Sequence, residues 1–289
     1  MVPGRDALVD MVIYLLLLIL SLLALLVLFG RSRWNRKSGE LRRRLLAASE
    51  ESRPGDFDPD AVKELPEAVQ RYLRRVLEPG QEAVSSVELI QRGTFNMSES
   101  GELWRPFVGR QLVVTRRPGF LWTARMGALP GLSMRVHDAY ATGEGILSVA
   151  LLGALTVAEL RNRSSAAESE LMRFLAEAPW YPTLFLDRDL LRWEEIDNQS
   201  ARATLSDGEL SVTLLFRFGD DDLVSSVWAP ARGRSLGGKV VPTPWEGRWG
   251  SYESRGGILV PTVGEVAWLL PEGRKPYWRG GLTELTYRF

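Results

Sequence analysis

Twenty consecutive uncharged residues, Met11 to Gly30, ten of them leucine, constrain this chain more than any other feature. At about 1.5 Å rise per residue such a run makes a helix of about 30 Å, the thickness of a bilayer's hydrocarbon core. A cleaved secretory signal has a basic start, an apolar core of about 7–15 residues and a small-x-small cleavage site. Here Arg5 is offset by Asp6 and Asp10, the core is longer, and Phe29-Gly30-Arg31-Ser32-Arg33 offers no such site. The run predicts a retained, single-pass transmembrane helix in a cell membrane. Residues 1–30 are then the anchor, 31–60 a basic juxtamembrane segment and linker, and 61–289 a globular domain.

Arg31, Arg33, Arg36, Lys37, Arg42, Arg43 and Arg44 follow at once, opposed only by Glu40. Basic flanks resist translocation, which predicts a cytoplasmic globular domain. The same side chains are candidates for a membrane-surface contact, carried to anionic lipid by a short helix around Glu40–Glu51. Residues 1–44 hold eight basic and three acidic side chains, net +5, so the other 245 carry −5 in a chain of zero formal charge. A mildly acidic domain argues against nucleic acid as a partner, since phosphate neutralisation needs clustered Lys and Arg. The absence of cysteine removes disulfides and thiol chemistry.

Beyond the anchor, Ser49 to Asp60 is polar and reads as a linker, and Asp58-Pro59 is a helix-start signal. From Pro66, the positions Val69, Tyr72, Leu73, Val76 and Leu77 form one helical stripe that Pro79-Gly80 stops. Segments Val84–Phe95, Gln111–Thr115, Phe120–Met126, Met134–Tyr140, Ala201–Leu205, Leu210–Phe218, Val224–Pro230 and Gly281–Phe289 read as strands. Turns at Ser206-Asp207-Gly208, Gly219 to Asp222 and Arg255-Gly256-Gly257 imply sequential hairpins and a mostly antiparallel sheet. Ser165-Ala-Ala-Glu168 has the pattern of a capping box, opening an amphipathic helix with Leu171, Phe174, Leu175 and Ala178 on its buried stripe. The uncharged run Ile146 to Ala158 is too short to span a bilayer and is read as core, with a membrane-touching or cavity-covering loop as the alternative. The fold class is α+β, a helix packed on an antiparallel sheet.

The chemical motifs mostly fail on context. His137-Asp138 suggests a metal phosphohydrolase, but His137 is the only histidine, so neither that site nor a Cys/His zinc site is available. Gly233-Arg-Ser235-Leu-Gly237 has the letters of a nucleophile elbow without a following helix or a downstream histidine, and reads as a loop. Asp56, Asp58, Asp60 and Glu67 imitate a calcium loop, yet Ala61 stands where glycine is needed. Asp220-Asp221-Asp222 reads as a solvated turn. No phosphate loop or dinucleotide fingerprint occurs, so no cofactor is expected.

What remains is aromatic: nine of ten tryptophans lie in the globular part. They are either core packing or the lining of an apolar cavity. Glu177 is the polar candidate within such a cavity, with Arg173 at i−4 as its alternative partner.

Trp104-Arg-Pro-Phe107, Pro118-Gly-Phe-Leu-Trp122, Asp138-Ala-Tyr140 with Gly143-Glu-Gly145, Arg173-Phe-Leu-Ala-Glu177-Ala-Pro-Trp180-Tyr-Pro-Thr183, Pro244-Trp245-Glu-Gly247 and Pro276-Tyr-Trp278-Arg-Gly280 together resemble an uncharacterised bacterial family of unknown function. The resemblance covers about Leu65 to Phe289 and implies no established activity. Its strand pattern is similar to the lipoprotein-carrier (LolA-like) half-barrels, implying a curved sheet wrapped around helices and an apolar cavity. The leading expectation is a membrane-anchored domain holding a lipid or other apolar ligand, with Trp104, Trp122, Asp138, Tyr140, Glu177, Trp180 and Trp245 as its binding residues. An enzyme using Glu177 or Asp138 as acid or base, and a non-catalytic envelope scaffold, stay open beside it. No catalytic or metal-binding residue is assigned. An apolar tunnel with one carboxylate would favour binding, and two converging carboxylates would favour catalysis.

Overall fold

The structure, a computed structural model, describes residues 5–49, 61–129, 132–237 and 239–289. The linker expectation from 50 to 60, with its Asp58-Pro59 helix start and the Asp56 to Asp60 motif, lies outside them. The N-terminal part is one helix, α1 (Arg5–Ser49), uninterrupted because no proline occurs between its ends. It is long and apolar enough to cross a membrane, and its side chains from Leu8 to Phe29 are all exposed. The separate short helix expected around Glu40–Glu51 is instead the end of α1. A second helix, α2 (Glu67–Val76), buries the predicted stripe of Val69, Tyr72, Leu73 and Val76.

The remainder is built on strands. The first six are β1 (Ser86–Asn96), β2 (Trp104–Val114), β3 (Gly119–Leu129), β4 (Leu132–Ala141), β5 (Glu144–Leu151) and β6 (Leu155–Asn162). Helix α3 (Ser165–Ala176) and two 3₁₀ turns, Ala178–Trp180 and Pro182–Leu186, lead into the second set. That set is β7 (Leu191–Asp197), β8 (Ser200–Asp207), β9 (Leu210–Phe218), β10 (Val224–Leu236), β11 (Lys239–Arg255), β12 (Ile258–Leu270) and β13 (Gly273–Arg288). Every pairing is antiparallel, in the order β6-β5-β4-β3-β2-β1-β13-β12-β11-β10-β9-β8-β7. The two halves are each a meander, joined where β1 pairs with the last strand. The α+β reading with a large, curved antiparallel sheet holds.

Strand alternation assigns the two faces. On the inner face, one rung runs Leu89, Gln111, Trp122, Asp138 and Leu147, and the residues between them on each strand point outward. Helix α3 lies inside the curve, against β4, β5, β9 and β10. Phe174, Leu175, Leu171 and Tyr181 are fully buried in the main core there.

The outer face carries a second, smaller core. Leu112, Val114, Leu121, Ala139, Ala141 and Ile146 point outward and are covered by Leu45 of α1, flanked by Leu41 and Leu46. Trp34 stacks on His137 at 3.8 Å with the rings 10° from parallel, and Ser38 Oγ lies 2.7 Å from His137 Nε2. Burial, followed by the charges of Lys37 and Arg135, lowers the His137 pKa to about 4, so this imidazole is neutral at pH 7. The sole histidine therefore packs α1 onto the sheet.

Three local expectations are corrected. Ser165 is the first residue of α3 rather than its cap. Asn162 Oδ1 accepts from the Ser164 and Ala166 amides at 3.1 and 2.9 Å and caps the helix instead. Gly233 to Ser235, expected as a loop, belongs to β10, which continues past Pro230 after a register shift between Ala229 and Arg232. Ile146 to Ala158 is the β5–β6 hairpin: Ile146 and Ala150 are core, while Leu155 and Val157 are about 60 % exposed.

Candidate binding cavity

The concave face leaves a cavity of about 330 Å³, at the lower end of the range for small-molecule sites. Its walls are apolar. Phe95, Met126, Met134, Val136, Leu147 and Val149 come from the first meander, and Trp245, Trp249, Val266 and Trp278 from the second. Several of these indoles owe their positions to glycine across the sheet. A Cβ on Gly280 would lie 2.4 Å from the Trp278 ring, and one on Gly264 would lie 2.9 Å from Trp249. The Trp-x-Gly spacing at 278–280 is thus a packing rule: the small residue makes room for the large one on the same face.

The floor is polar and almost fully paired. Arg173, in the last turn of α3, donates to Glu177 Oε1 at 2.8 Å, Asp138 Oδ2 at 2.6 Å and Gln111 Oε1 at 3.3 Å. Its guanidinium also lies 4.8 Å from the Phe120 ring centre and 5.2 Å from that of Trp122. Gln111 Nε2 donates to Glu177 Oε2 at 2.5 Å, and Trp122 Nε1 donates to Gln91 at 2.8 Å. Burial opposes the Arg173 charge, but Glu177, Asp138 and Glu170 outweigh it and hold the guanidinium protonated. Glu170 lies one turn before Arg173. Burial first, then the Asp138 charge, raise its carboxyl well above the usual range. Its Oε2 and Asp138 Oδ1 are both buried without a hydrogen-bond partner among the described residues.

A second cation, Arg232, stands apart from this network. Its Nη1 donates to the Tyr277 hydroxyl at 3.0 Å, its guanidinium lies 5.0 Å from the Trp245 ring centre, and its buried Nε has no partner among the described residues. Trp245 Nε1 also donates to Tyr277, at 2.8 Å. Trp249 Nε1 is likewise buried and unpartnered.

Of the seven expected binding residues, the fold brings Trp122, Asp138, Glu177, Trp180 and Trp245 to one cavity. Trp104 is elsewhere, stacked under Arg279 at 4.5 Å near the start of β2. Tyr140 faces inward but is sealed in the core, donating to Asp207 Oδ2 at 2.7 Å. The Glu177–Arg173 pair is present as its helical spacing suggests, though in the cavity floor and not at the surface. Sequence reasoning missed Arg232 and the three methionines Met97, Met126 and Met134, and held Trp249 and Trp278 only among the nine tryptophans that could line a cavity. Strand parity from Trp122 through Ala124 to Met126 was the available signal for one of them.

The basic residues after the anchor divide similarly. Arg44 donates to Glu144 at 2.7 Å and to the Ala141 carbonyl, Arg42 pairs with Glu88 at 2.6 Å, and Arg33 donates to the Ala154 carbonyl at 2.7 Å. Lys37 lies 4.0 Å from Glu159. Arg31, Arg36 and Arg43 are exposed.

This geometry defines a class: an antiparallel half-barrel with an apolar cavity, carried on an N-terminal helix long enough to cross a bilayer. The chain belongs to the family described as "Family of unknown function (DUF6920)", matched over residues 63–287. Among proteins of curated function, none matches it in sequence. In structure it is similar to a LolA superfamily protein from Nitrosomonas europaea, at 14% identity and a TM-score of 0.41, over 76% of this chain and 94% of that one. It is also similar to a beta-barrel-like protein of the domain of unknown function DUF1849 from Brucella abortus. That match has 10% identity and a TM-score of 0.22, over 72% of this chain and 99% of the other.

Proposed function

We propose that this chain is a membrane-anchored binding protein that holds a lipid or other apolar molecule in the half-barrel cavity. The supporting observation is the contrast between wall and floor. The walls offer aromatic faces and adaptable methionines, while Arg173, Asp138 and Glu177 beneath pair with one another, and Arg232 is, among the described residues, the one lining cation whose hydrogen bond goes to a neutral hydroxyl. An enzyme built on Asp138 and Glu177 has less support. Those carboxylates do converge, but on Arg173: it and Gln111 occupy three of their four oxygens. Such locked carboxylates are poor proton shuttles.

Residues 1–30 are the anchor in this reading, and the basic flank supports a cytoplasmic domain. Lipid content per mole of detergent-extracted protein, measured by native mass spectrometry, tests the binding. Retained lipid in wild type and its loss in Trp249→Ala are expected, and folded wild-type protein free of any apolar molecule would refute the reading. C-terminal reporter fusions test the side: an active periplasmic-type phosphatase fusion would reverse the topology.

A further inference from the structure

We propose that the open end of the half-barrel rests on the bilayer that α1 crosses, so that the cavity mouth faces lipid directly. The inference relies on α1 being the anchor and on the cavity taking an apolar molecule. Because every pairing is antiparallel, β1, β5, β10 and β12 all run toward one end of the sheet. The ends of β1, β10 and β12 meet there, where Arg234 and Lys275 both donate to the Glu99 carbonyl, and the β5–β6 turn at 152–154 lies at the same end of its strand pair. The cavity reaches it through Phe95, Met134 and Met97. The opposite end is plugged by α2, whose Tyr72 packs on Phe185 and Phe218.

Helix α1 crosses the outer face in the reverse sense. Gly30 abuts the β5–β6 turn so closely that a Cβ there would lie 2.7 Å from the Leu152 carbonyl oxygen. Trp34 reaches the middle of β4 at His137, and Arg44 reaches the far turn at Ala141 and Thr142. The exposed apolar residues 8–29 must therefore project beyond the mouth end. Since the helix is continuous and docked, the membrane lies at that end and nowhere else.

Two surface features match such a seat. Met97, Leu103, Leu155, Val157, Val240 and Val241 lie at or near the hairpin tips of this end, each at least 40 % exposed. They form an apolar rim of the kind that enters an interface. Arg125 and Arg135 face each other across β3 and β4 on the outer side, within electrostatic range of Arg31 where α1 leaves the domain. None of the three makes an ion pair among the described residues. Mutually repelling guanidiniums at the level where a spanning helix emerges would meet the phosphate layer.

The chain has no cysteine, so single labels report one position each. Full-length Met97→Cys, Leu155→Cys and Val240→Cys, carrying an environment-sensitive fluorophore, are reconstituted into phosphatidylcholine–phosphatidylglycerol vesicles with and without brominated acyl chains. Glu253→Cys at the far end and Leu20→Cys within the anchor are the controls, and unfolding midpoints verify folding. Quenching at the three rim positions and at Leu20→Cys, with none at Glu253→Cys, is expected. Rim labels as unquenched as Glu253→Cys, alongside a quenched Leu20→Cys, would overturn the proposal. Rim quenching in protein that holds no lipid would support the seat while removing the binding reading, and retained lipid without rim quenching would do the reverse.

Discussion

Replacing Arg173 with methionine tests the claim that the cavity floor is a closed electrostatic unit. The substitution keeps an unbranched, helix-compatible stem but removes the donors to Asp138, Glu177 and Gln111. Both carboxylates are largely buried, with side chains 17% and 12% exposed, so water cannot replace the lost charge. Breaking a buried pair from one side costs about 3–5 kcal/mol. Urea titrations of Arg173→Met at pH 7 should therefore show a deficit of about 3–5 kcal/mol. A deficit below about 1 kcal/mol would show that the pairs are solvated and the floor open.

The remaining predictions concern other parts of the same architecture. Glu170 is raised in the folded state, so its contribution is complete below the ordinary glutamate pKa and is lost as pH rises toward the folded value. Glu170→Gln should remove that downward slope of about 1.4 kcal/mol per pH unit, and an identical pH profile for variant and wild type would refute the assignment. His137 is the opposite case: with a folded pKa of about 4, its contribution is complete above the unfolded value of 6.5 and is lost as pH falls toward 4. His137→Gln should flatten the profile in that window, and persistence of the slope would mean that another group carries it. Asn162→Ala should destabilise by about 1 kcal/mol through the lost cap while Ser165→Ala stays near zero, and the reverse ranking in denaturant titrations would restore Ser165 as the cap.

How legible this fold was depended on whether a segment's partners lie near it in sequence. The anchor run, the α2 stripe and the α3 stripe follow from local periodicity, and each stands where the spacing puts it. Strands β11 and β12 were not read, because their inner positions alternate tryptophan with glycine and their outer positions carry paired charges such as Glu246 with Arg248 and Arg274. That pattern looks like a loop until the sheet supplies the cross-strand neighbour. Asn162 was missed because a cap three residues upstream requires a bend that the letters Ser165-Ala-Ala-Glu168 do not suggest. Within the site, Glu177 and Arg173 were within one helical turn and visible together. Asp138 meets them only through the fold, across 35 residues, and Arg232 only through the second meander.

The juxtaposition of His137 and Asp138 gives the architecture its logic. On a strand, consecutive side chains point to opposite faces. One residue of β4 therefore holds α1 through Trp34, while the next holds the cavity floor through Arg173. A flexible tether would leave the half-barrel free to tumble above a membrane, and the direction of its mouth would carry no meaning. Here the helix continues to Ser49, about five turns past Arg31, sets Arg44 beside Glu144 and inserts Leu45 into an apolar cluster. Those contacts fix the sheet relative to the helix axis, so the side of the domain that faces the exposed apolar segment is set by packing rather than by chance. A mouth at that end is then a consequence of the strand directions, and under the binding function proposed above a ligand leaving the bilayer would reach Trp249 and Trp278 without crossing water.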